Sequence, residues 1–380
     1  MLQLGALGLL VLCVAGLGLA TSRLKSGPAF LAGPADDPLL TGLRGVAAFT
    51  VVLSHLLALT SDVVTQHFFA SFGVVVFFML TGHLFFTMAL KEKIDLSSFY
   101  IKRVRRLVPA AVVIVAVIQF ADWLEAGTPA LGRAQAVAIA RNFSFGFVGE
   151  LYGVSGVYDL GAIVKKLGMI WSLKFEWLFY LCFPLVVAIA GKSIVRLFAI
   201  TAAIGIVFVE PPMLLSGDTD SSHFFAFFIG ALSAWGLWRF PTIHRRALVV
   251  ILVLWAVGLV VYLRTVNPDF ISSGRVSFQL VVGVFFIALL RLGREPPAIL
   301  RRLFALRGVQ ALGTISYSLY LLHMTVIHFG VAAASRWLPA DVAPFAAALP
   351  VVAVTALLSA LSYYYVERPF LRRPSTPAGK

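Results

Sequence analysis

The chain has few charged residues and almost no cysteine. Of its 380 residues, 13% are charged and 60% are hydrophobic, whereas soluble globular chains carry roughly 25% charged residues. This composition excludes an ordinary soluble domain and indicates an integral membrane protein. Both cysteines, Cys13 and Cys182, lie in apolar runs. They therefore support neither a disulfide framework nor a cysteine-ligated metal site.

Acidic residues are also scarce: 17 Asp and Glu stand against 31 Lys and Arg, which gives a formal net charge of +14. In a soluble protein this charge would suggest a nucleic-acid partner. In a membrane protein it is typical of Lys and Arg retained in cytoplasmic loops, so we expect no nucleic-acid partner. The chain also has no P-loop and no G-x-G-x-x-G motif, so a ligand that carries phosphates must be held in another way.

Long apolar stretches dominate the chain. About eleven of them are long enough, or nearly so, to cross the roughly 30 Å hydrocarbon core of a bilayer. The first covers residues 4–20, and one near 107–124 begins the third helix of the core. Residues 125–170 are too polar and glycine-rich for a span and predict a long loop that can carry a surface helix. The expected fold is an all-α polytopic membrane protein without internal repeats.

The charges of the loops alternate along the chain. Basic loops cover 21–43, 91–106, 239–246 and 291–307, whereas 61–67 and 211–222 contain no Lys or Arg. The positive-inside rule places the basic loops and the C-terminus in the cytoplasm. The first apolar segment lacks the basic start of a signal peptide. We therefore expect an uncleaved helix whose N-terminus lies outside.

The stretch "TGLRGVAAFTVVLSHL" (41–56) carries two ionisable residues in one apolar helix. His55 lies eleven residues beyond Arg44, which returns it to nearly the same helix face about 16 Å further along. One interpretation is a snorkelling arginine and an ordinary buried histidine. The other is a polar path through the interior, because ionisable side chains inside a membrane usually serve a function.

Polar residues recur in four other apolar stretches. "FFMLTGHLFF" contains Gly82 and His83 inside an apolar helix. The alternative to a functional role is close helix packing through Gly82, with His83 hydrogen-bonded to a neighbour. Arg103 and Arg106 share a helix face. The alternative interpretation is that these arginines only determine the topology of the chain in the membrane. Glu176 lies early in a helix that enters from outside, and a partner for it is expected. The fourth stretch, residues 315–328, carries Ser316, Tyr317, Tyr320 and His323.

Together these stretches resemble the acyltransferase-3 family of membrane acyltransferases over residues 38–370. The similar segments, in chain order, are Leu40–Gly45 with His55 (family pattern L-D-G-L-R-G, then His), Phe77–Leu84 (F-F-x-L-S-G-F-L), Arg103 with Arg106, Trp171–Glu176 (W-S-L-x-x-E), Ser316–His323 (S-Y-S-L-Y-L-L-H) and Glu367–Pro369 (E-R-P). The chain departs from the family where Thr41 replaces an acidic residue, Thr81 a serine and His83 an aromatic residue. We expect the histidine at position 83 to alter either the shape of the pocket or the choice of acceptor.

The resemblance implies a core of about ten helices, to which this chain adds the N-terminal helix. The expected domains are an N-terminal helix and linker over 1–37, the acyltransferase-3 domain over 38–370, and a short cytoplasmic tail over 371–380. The implied location is the cytoplasmic (inner) membrane of a bacterium. The implied reaction moves an acyl group, most often acetyl, from cytoplasmic acetyl-CoA to a hydroxyl of a sugar in a cell-surface polysaccharide or other glycan. A secreted or macrolide-type metabolite is the alternative acceptor, and no metal is expected.

The same residues suggest roles in that reaction. Arginines bind phosphates in a bidentate manner, so Arg44, Arg103 and Arg106 are the candidate donor-binding residues. His55 is the candidate general base, because imidazole titrates near neutral pH; formation of an acyl-histidine stays open. Glu176 orients His55 or holds the sugar. The candidate acceptor contacts are His83, Ser316, Tyr317, Tyr320 and His323.

Three other classes of function compete with this hypothesis. A transporter or flippase also needs buried ionisable residues, but it often shows inverted repeats, which the sequence lacks. A non-catalytic scaffold leaves Arg44, His55 and Glu176 without a purpose. A histidine metal site would draw on His55, His83, His323 and His328 from three helices, without any ligand spacing that supports it.

Overall fold

The structure is a computed structural model, which describes residues 37–57, 63–91, 95–125, 132–144, 168–209, 222–240, 244–265, 275–293, 298–339 and 342–371. Every regular element in these ranges is helical. In chain order they are α1 (Pro38–Leu57), α2 (Val63–Leu90), α3 (Leu96–Glu125), α4 (Arg133–Phe143), α5 (Trp171–Ala190), α6 (Ile194–Val209), α7 (Phe224–Arg239), α8 (Arg245–Thr265), α9 (Val276–Leu292), α10 (Ala298–Phe304), α11 (Arg307–Thr314), α12 (Ser316–Ala334), α13 (Ala343–Ser362) and α14 (Arg368–Leu371). A 3-10 turn, Gly168–Ile170, precedes α5, and a π turn, Tyr363–Glu367, joins α13 to α14.

The lengths and hydropathy of these helices suit a bilayer. Among the described residues, seven helices are long and apolar enough to cross a membrane, and three apolar helices are shorter, at Ile194–Ile204, Phe224–Arg239 and Val276–Leu292. Helix α8 exposes several valines and leucines, as expected for a helix that faces lipid. The expectation of an all-α polytopic membrane protein is confirmed. The apolar segment 4–20 and the tail 372–380 lie outside the described residues.

The described residues divide into two compact units. The first contains the described residues up to position 91 and those from Phe175 to Ser316, and the second contains the described residues from Asp95 to Lys174 and from Tyr317 to Leu371. Helices α1, α2 and α6 to α11 therefore belong to the first unit, together with most of α5. Helices α3, α4, α13 and α14 belong to the second, with most of α12.

Glycines hold the helices of the first unit at close range. A Cβ atom on Gly82 of α2 would lie 1.9 Å from the Phe227 carbonyl oxygen of α7, and one on Gly230 of α7 would lie 2.0 Å from the Met79 carbonyl oxygen. Both helices thus need a glycine where they cross, which is a common way to pack membrane helices. Phe179 of α5 stacks on Phe227 with ring centroids 4.2 Å apart, so α5 joins the same core.

The second unit is organised around α3, which begins earlier than predicted. The helix starts at Leu96 rather than near residue 107, and Pro109 lies inside it. Asp95 caps the start, because its carboxylate accepts the backbone N–H of Ser98 at 3.1 Å. Hydrogen bonds from Ser98, and then from Ser97, hold the pKa of Asp95 below its ordinary value. Within the predicted long loop, residues 133–143 form α4.

Candidate active site

Arg44 and His55 lie on one uninterrupted helix. Helix α1 runs from Pro38 to Leu57 without a break, so the two side chains share a face about 16 Å apart along the axis. Both side chains are half-buried. Each takes part in an interaction with its surroundings, as expected for ionisable groups in an apolar helix.

The backbone of α1 is held firmly on two sides. A Cβ atom on Gly45 would lie 2.7 Å from the Gly313 backbone nitrogen of α11. One on Gly73 of α2 would lie 2.5 Å from the Ala47 carbonyl oxygen. Helices that pack backbone against backbone at this range cannot shift without a clash. Arg44 and His55 therefore project from a rigid element, which is what a site that positions reacting groups requires.

Glu176 has a hydrogen-bond partner on its own helix. The Tyr180 hydroxyl, one turn further along α5, donates a hydrogen bond to the Glu176 carboxylate. Tyr180 packs against Phe85 of α2 with ring centroids 5.1 Å apart, so the donor is itself held in place. The expectation that Glu176 needs a partner is met by a residue four positions later, a spacing that places both on one helix face.

His83 is tied into the crossing of α2 and α7. Its Nδ1 lies 2.8 Å from Ser233 Oγ, and the Ser233 hydroxyl in turn donates to the Gly230 carbonyl oxygen at 2.6 Å. Because the hydroxyl proton goes to the carbonyl, His83 Nδ1 must carry a proton and donate it to Ser233. The lone pair of neutral His83 then lies on Nε2. The close-packing interpretation of Gly82 and His83 is what the structure shows, and a contact with the acceptor stays a prediction.

Arg103 and Arg106 lie in the second and third turns of α3, both partly exposed. The Arg103 guanidinium lies over the Phe99 ring, with Cζ 5.6 Å from its centroid. Arg106 lies three residues further along the same helix, on which the π turn that ends at Glu367 packs. The two arginines thus share a helix but have different surroundings.

Side chains in the stretch Ser316–His323 form several hydrogen bonds within the protein. The Ser316 hydroxyl donates to the Gly313 carbonyl oxygen at 2.9 Å, and the Tyr317 hydroxyl donates to the Leu107 carbonyl oxygen of α3 at 2.9 Å. The Tyr320 hydroxyl donates to Ser172 Oγ at 3.0 Å. His323 is fully buried, and its Nδ1 lies 2.6 Å from the Tyr320 carbonyl oxygen, so Nδ1 carries the proton.

The structure does not bring all the sequence-derived candidates into one described unit. Arg44, His55, His83, Glu176 and Ser316 belong to the first unit. The second unit contains the remaining five candidates, which are Arg103, Arg106, Tyr317, Tyr320 and His323. Their roles in catalysis or binding stay predictions, and each calls for its own variant.

Sequence reasoning missed Glu367 as a functional candidate. Its side chain is 3% exposed, and its carboxylate accepts a hydrogen bond from Ser318 at 2.5 Å. The signal was present, because an acidic residue directly after the apolar run of α13 needs a reason to be there. In the sequence it stands only as part of the E-R-P match.

Metal ligands do not cluster in the part of the chain that the structure describes: no group of three or more His, Cys, Asp or Glu there could hold an ion.

The acyltransferase-3 family model, described as an acyltransferase domain, matches residues 38–364. Similar curated proteins include the peptidoglycan O-acetyltransferase OatA of Listeria monocytogenes, which is 25% identical over 87% of this chain and 55% of its own length. O-acetyltransferase OatA of Staphylococcus aureus is 24% identical over 88% of this chain and 57% of its own length. The putative peptidoglycan O-acetyltransferase YrhL of Bacillus subtilis is 27% identical, over 87% and 54% respectively.

The chain therefore spans little more than half the length of these relatives. No solved structure matches it.

Proposed function

Because the chain belongs to the acyltransferase-3 family of membrane acyltransferases, we propose that it is an O-acetyltransferase that modifies a cell-wall glycan. The donor is acetyl-CoA, and the acceptor is a sugar hydroxyl of peptidoglycan or of a related surface polysaccharide. The names of the similar proteins from Listeria, Staphylococcus and Bacillus support this acceptor class.

The proposed chemistry is a single acyl transfer with His55 as general base. The His55 imidazole takes the proton of the sugar hydroxyl while the hydroxyl oxygen attacks the thioester carbonyl carbon. The new C–O bond forms, the C–S bond breaks, and CoA leaves as a thiolate that takes up the proton held by the His55 imidazolium, which restores the neutral imidazole. The products are an acetylated sugar and free CoA, so atoms and charge balance without a metal or a redox partner.

The rigid display of His55 and Arg44 on α1 is the observation that carries this proposal. The two residues share one face of an unbroken helix. The close contacts of Gly45 with Gly313 and of Gly73 with Ala47 hold that helix in place. The separation of about 16 Å along the axis suits an extended donor with an anionic nucleotide end and a reactive thioester end. A rigid support of this kind favours reaction, because small errors in position are costly in rate.

The donor phosphates are proposed to bind to arginines. Arg44, Arg103 and Arg106 carry guanidinium groups, whose paired N–H donors match phosphate oxygens. The chain has no glycine-rich phosphate loop, so side chains must supply these contacts. Glu176, already bonded to Tyr180, is proposed to orient His55 or to hold the acceptor sugar.

The proposed location is the cytoplasmic membrane of a bacterium, with the basic loops and the C-terminus inside. The alternation of basic loops with loops that lack Lys and Arg supports this orientation. A fusion of a cytoplasm-specific reporter to the C-terminus should be active. The same reporter placed in the loop 211–222, which has no Lys or Arg, should be inactive.

The test is to incubate membranes enriched in the protein with labelled acetyl-CoA and with peptidoglycan, other surface glycans or secreted metabolites. We expect base-labile label in peptidoglycan or in a surface polysaccharide. Label in a secreted metabolite instead would overturn the acceptor class but not the reaction. Accumulation of an unmodified solute, with no acetylated product, would favour a transporter and overturn the proposal.

A further inference from the structure

Basic and aromatic side chains gather at one end of the first unit. They come from the start of α6 with the turn before it, from the end of α7 and from the end of α9. The members of this basic–aromatic cluster are Lys192, Arg196, Trp235, Arg239, Phe240 and Arg291. The loops 239–246 and 291–307 are basic, so the positive-inside rule predicts this end of the unit at the cytoplasmic surface of the bilayer.

Hydrogen bonds join the three elements of the cluster. The Trp235 indole N–H of α7 donates to the Lys192 carbonyl oxygen, in the turn before α6, at 3.0 Å. A guanidinium N–H of Arg291, on α9, donates to the carbonyl oxygen of Phe240, directly after α7. A Cβ atom on Gly236 of α7 would lie 2.9 Å from Arg291 Nη2. The Arg291 guanidinium therefore lies against the backbone of α7, where only a glycine leaves room for it.

Aromatic rings lie beside the other basic groups of the cluster. The Trp235 and Phe240 rings meet edge to face with centroids 6.0 Å apart. The Arg239 guanidinium lies over the Phe240 ring, with Cζ 5.5 Å from the centroid. At the start of α6, Arg196 Nη2 lies 3.8 Å from the place that a Cβ atom would take on Gly191. Guanidinium groups from three helices thus border one surface.

The helices that carry the cluster contribute no acidic residue. Residues 177–209, 222–265 and 275–293 contain no Asp or Glu. The positive-inside rule accounts for the sign of this charge, but it requires neither the rings nor the hydrogen bonds that hold the arginines in place. A surface of one sign is complementary to an anionic partner.

Apolar side chains lie next to these basic groups. Val195 and Phe198 flank Arg196 in α6 and are 73% and 62% exposed, and Trp238 of α7 is 44% exposed. Tryptophan is typical of the boundary between head groups and hydrocarbon. A soluble anion would contact the basic groups alone. A phospholipid offers both an anionic phosphate for the arginines and acyl tails for the apolar side chains.

We propose that the basic–aromatic cluster is a binding site for an anionic phospholipid of the cytoplasmic leaflet. The phosphate contacts the guanidinium groups, whose paired N–H donors match its oxygens. A guanidinium has five N–H donors, so the bond of Arg291 to a carbonyl is compatible with a phosphate contact. Basic pockets between membrane helices on the cytoplasmic side are a recurrent form of anionic-lipid site. The inference goes beyond the proposed acetyl transfer and does not rest on it, because no member of the cluster is a candidate for catalysis or donor binding.

The test is quenching of tryptophan fluorescence by lipids that carry bromine on their tails. The purified full chain is placed in bilayer nanodiscs of phosphatidylcholine that contain increasing fractions of brominated phosphatidylglycerol or brominated phosphatidylcholine. We expect the anionic lipid to quench more strongly than the zwitterionic lipid at equal fractions. The chain has seven tryptophans, and the excess quenching should fall in Trp238→Phe, because Trp238 is exposed beside the cluster.

Charge variants then measure the site. Arg239→Gln and Arg291→Gln should each weaken the relative affinity for phosphatidylglycerol about fivefold. Arg302→Gln is the matched control, because it removes the same charge from an exposed arginine of α10 in a basic loop. It should retain the wild-type preference.

Gly236→Ala separates the geometry of the site from its charge. The variant keeps every basic residue, but its Cβ atom would lie 2.9 Å from Arg291 Nη2 and would displace the guanidinium. We expect it to lose preference for phosphatidylglycerol as Arg291→Gln does. Should Arg291→Gln fail to fold, Arg239→Gln and Gly236→Ala carry the test.

Three results would overturn the inference. One is equal quenching of the wild type by the two brominated lipids. Another is an equal loss of preference in Arg302→Gln and in the cluster variants, because net charge alone predicts that. The third is reversal of the excess quenching by soluble acetyl-CoA or inorganic phosphate, which would assign the cluster to a soluble anion.

Discussion

The crossing of α2 and α7 allows a sharp prediction about stability. A Cβ atom on Gly82 would lie 1.9 Å from the Phe227 carbonyl oxygen, about 1.5 Å inside an ordinary van der Waals contact. The clashing atom is backbone, so relief requires α7 to move as a whole. Gly82→Ala should therefore lower the free energy of unfolding by about 3 kcal/mol or more, the upper end of the range for overpacked cores.

Gly258 of α8 is the matched control. It is also a glycine inside an apolar helix, but a Cβ atom there would meet nothing within 4 Å. Gly258→Ala should be neutral or stabilising by up to about 1 kcal/mol, because alanine favours helix more than glycine does.

The assay is thermal unfolding of the purified protein in one detergent, followed by size-exclusion chromatography of the heated samples. We expect the unfolding midpoint of Gly82→Ala to fall by roughly 5 °C or more, or the variant not to accumulate. Gly258→Ala should melt at or slightly above the wild-type temperature. Equal midpoints for Gly82→Ala and the wild type, or equal losses in both variants, would refute the reasoning.

Three further predictions concern single hydrogen-bonded groups. Tyr180→Phe removes the donor to the carboxylate of Glu176 and should destabilise the protein by about 1–3 kcal/mol; an unchanged melting midpoint would show that the hydrogen bond contributes nothing. Ser233→Ala leaves the Nδ1–H of His83 without its acceptor, at a cost of about 1–2 kcal/mol, and adding His83→Phe should recover part of this loss because both partners are then apolar. A double variant less stable than Ser233→Ala contradicts this. The lowered pKa of Asp95 means that its ionised cap stabilises α3 above the ordinary carboxyl pKa of about 4. This contribution disappears as pH falls through the lowered value. Melting midpoints between pH 3 and pH 6 should thus show a small acid-dependent loss in the wild type that Asp95→Ala lacks, and parallel curves would contradict it.

Much of the helical architecture was accessible from the sequence. Long apolar runs have few alternatives in a bilayer, because backbone polar groups there must bond within the segment. The helix that carries Arg44 and His55 was predicted for this reason, and α1 covers both. The start of α3 was not, because Arg103 and Arg106 interrupt the apolar pattern and Pro109 resembles a helix start. The proline is tolerated inside the helix instead.

The side-chain contacts were less accessible than the helices. Tyr180 could have been identified as the partner of Glu176, because the two lie four residues apart on one helix. The partner of His83 could not, since Ser233 lies 150 residues away in the chain and only the packing of α2 on α7 brings it near. Glu367 depends on Ser318, 49 residues away, and on a π turn that no sequence pattern indicates.

The most direct measurement of the central claim is acetyl transfer by His55→Ala. The assay follows labelled acetyl groups from acetyl-CoA to the glycan acceptor, at equal amounts of folded protein. His328→Ala is the control, because it removes another half-buried histidine that has no proposed role. We predict that His55→Ala abolishes transfer while His328→Ala retains it. Transfer at the wild-type rate by folded His55→Ala would contradict the assignment of His55 as the general base.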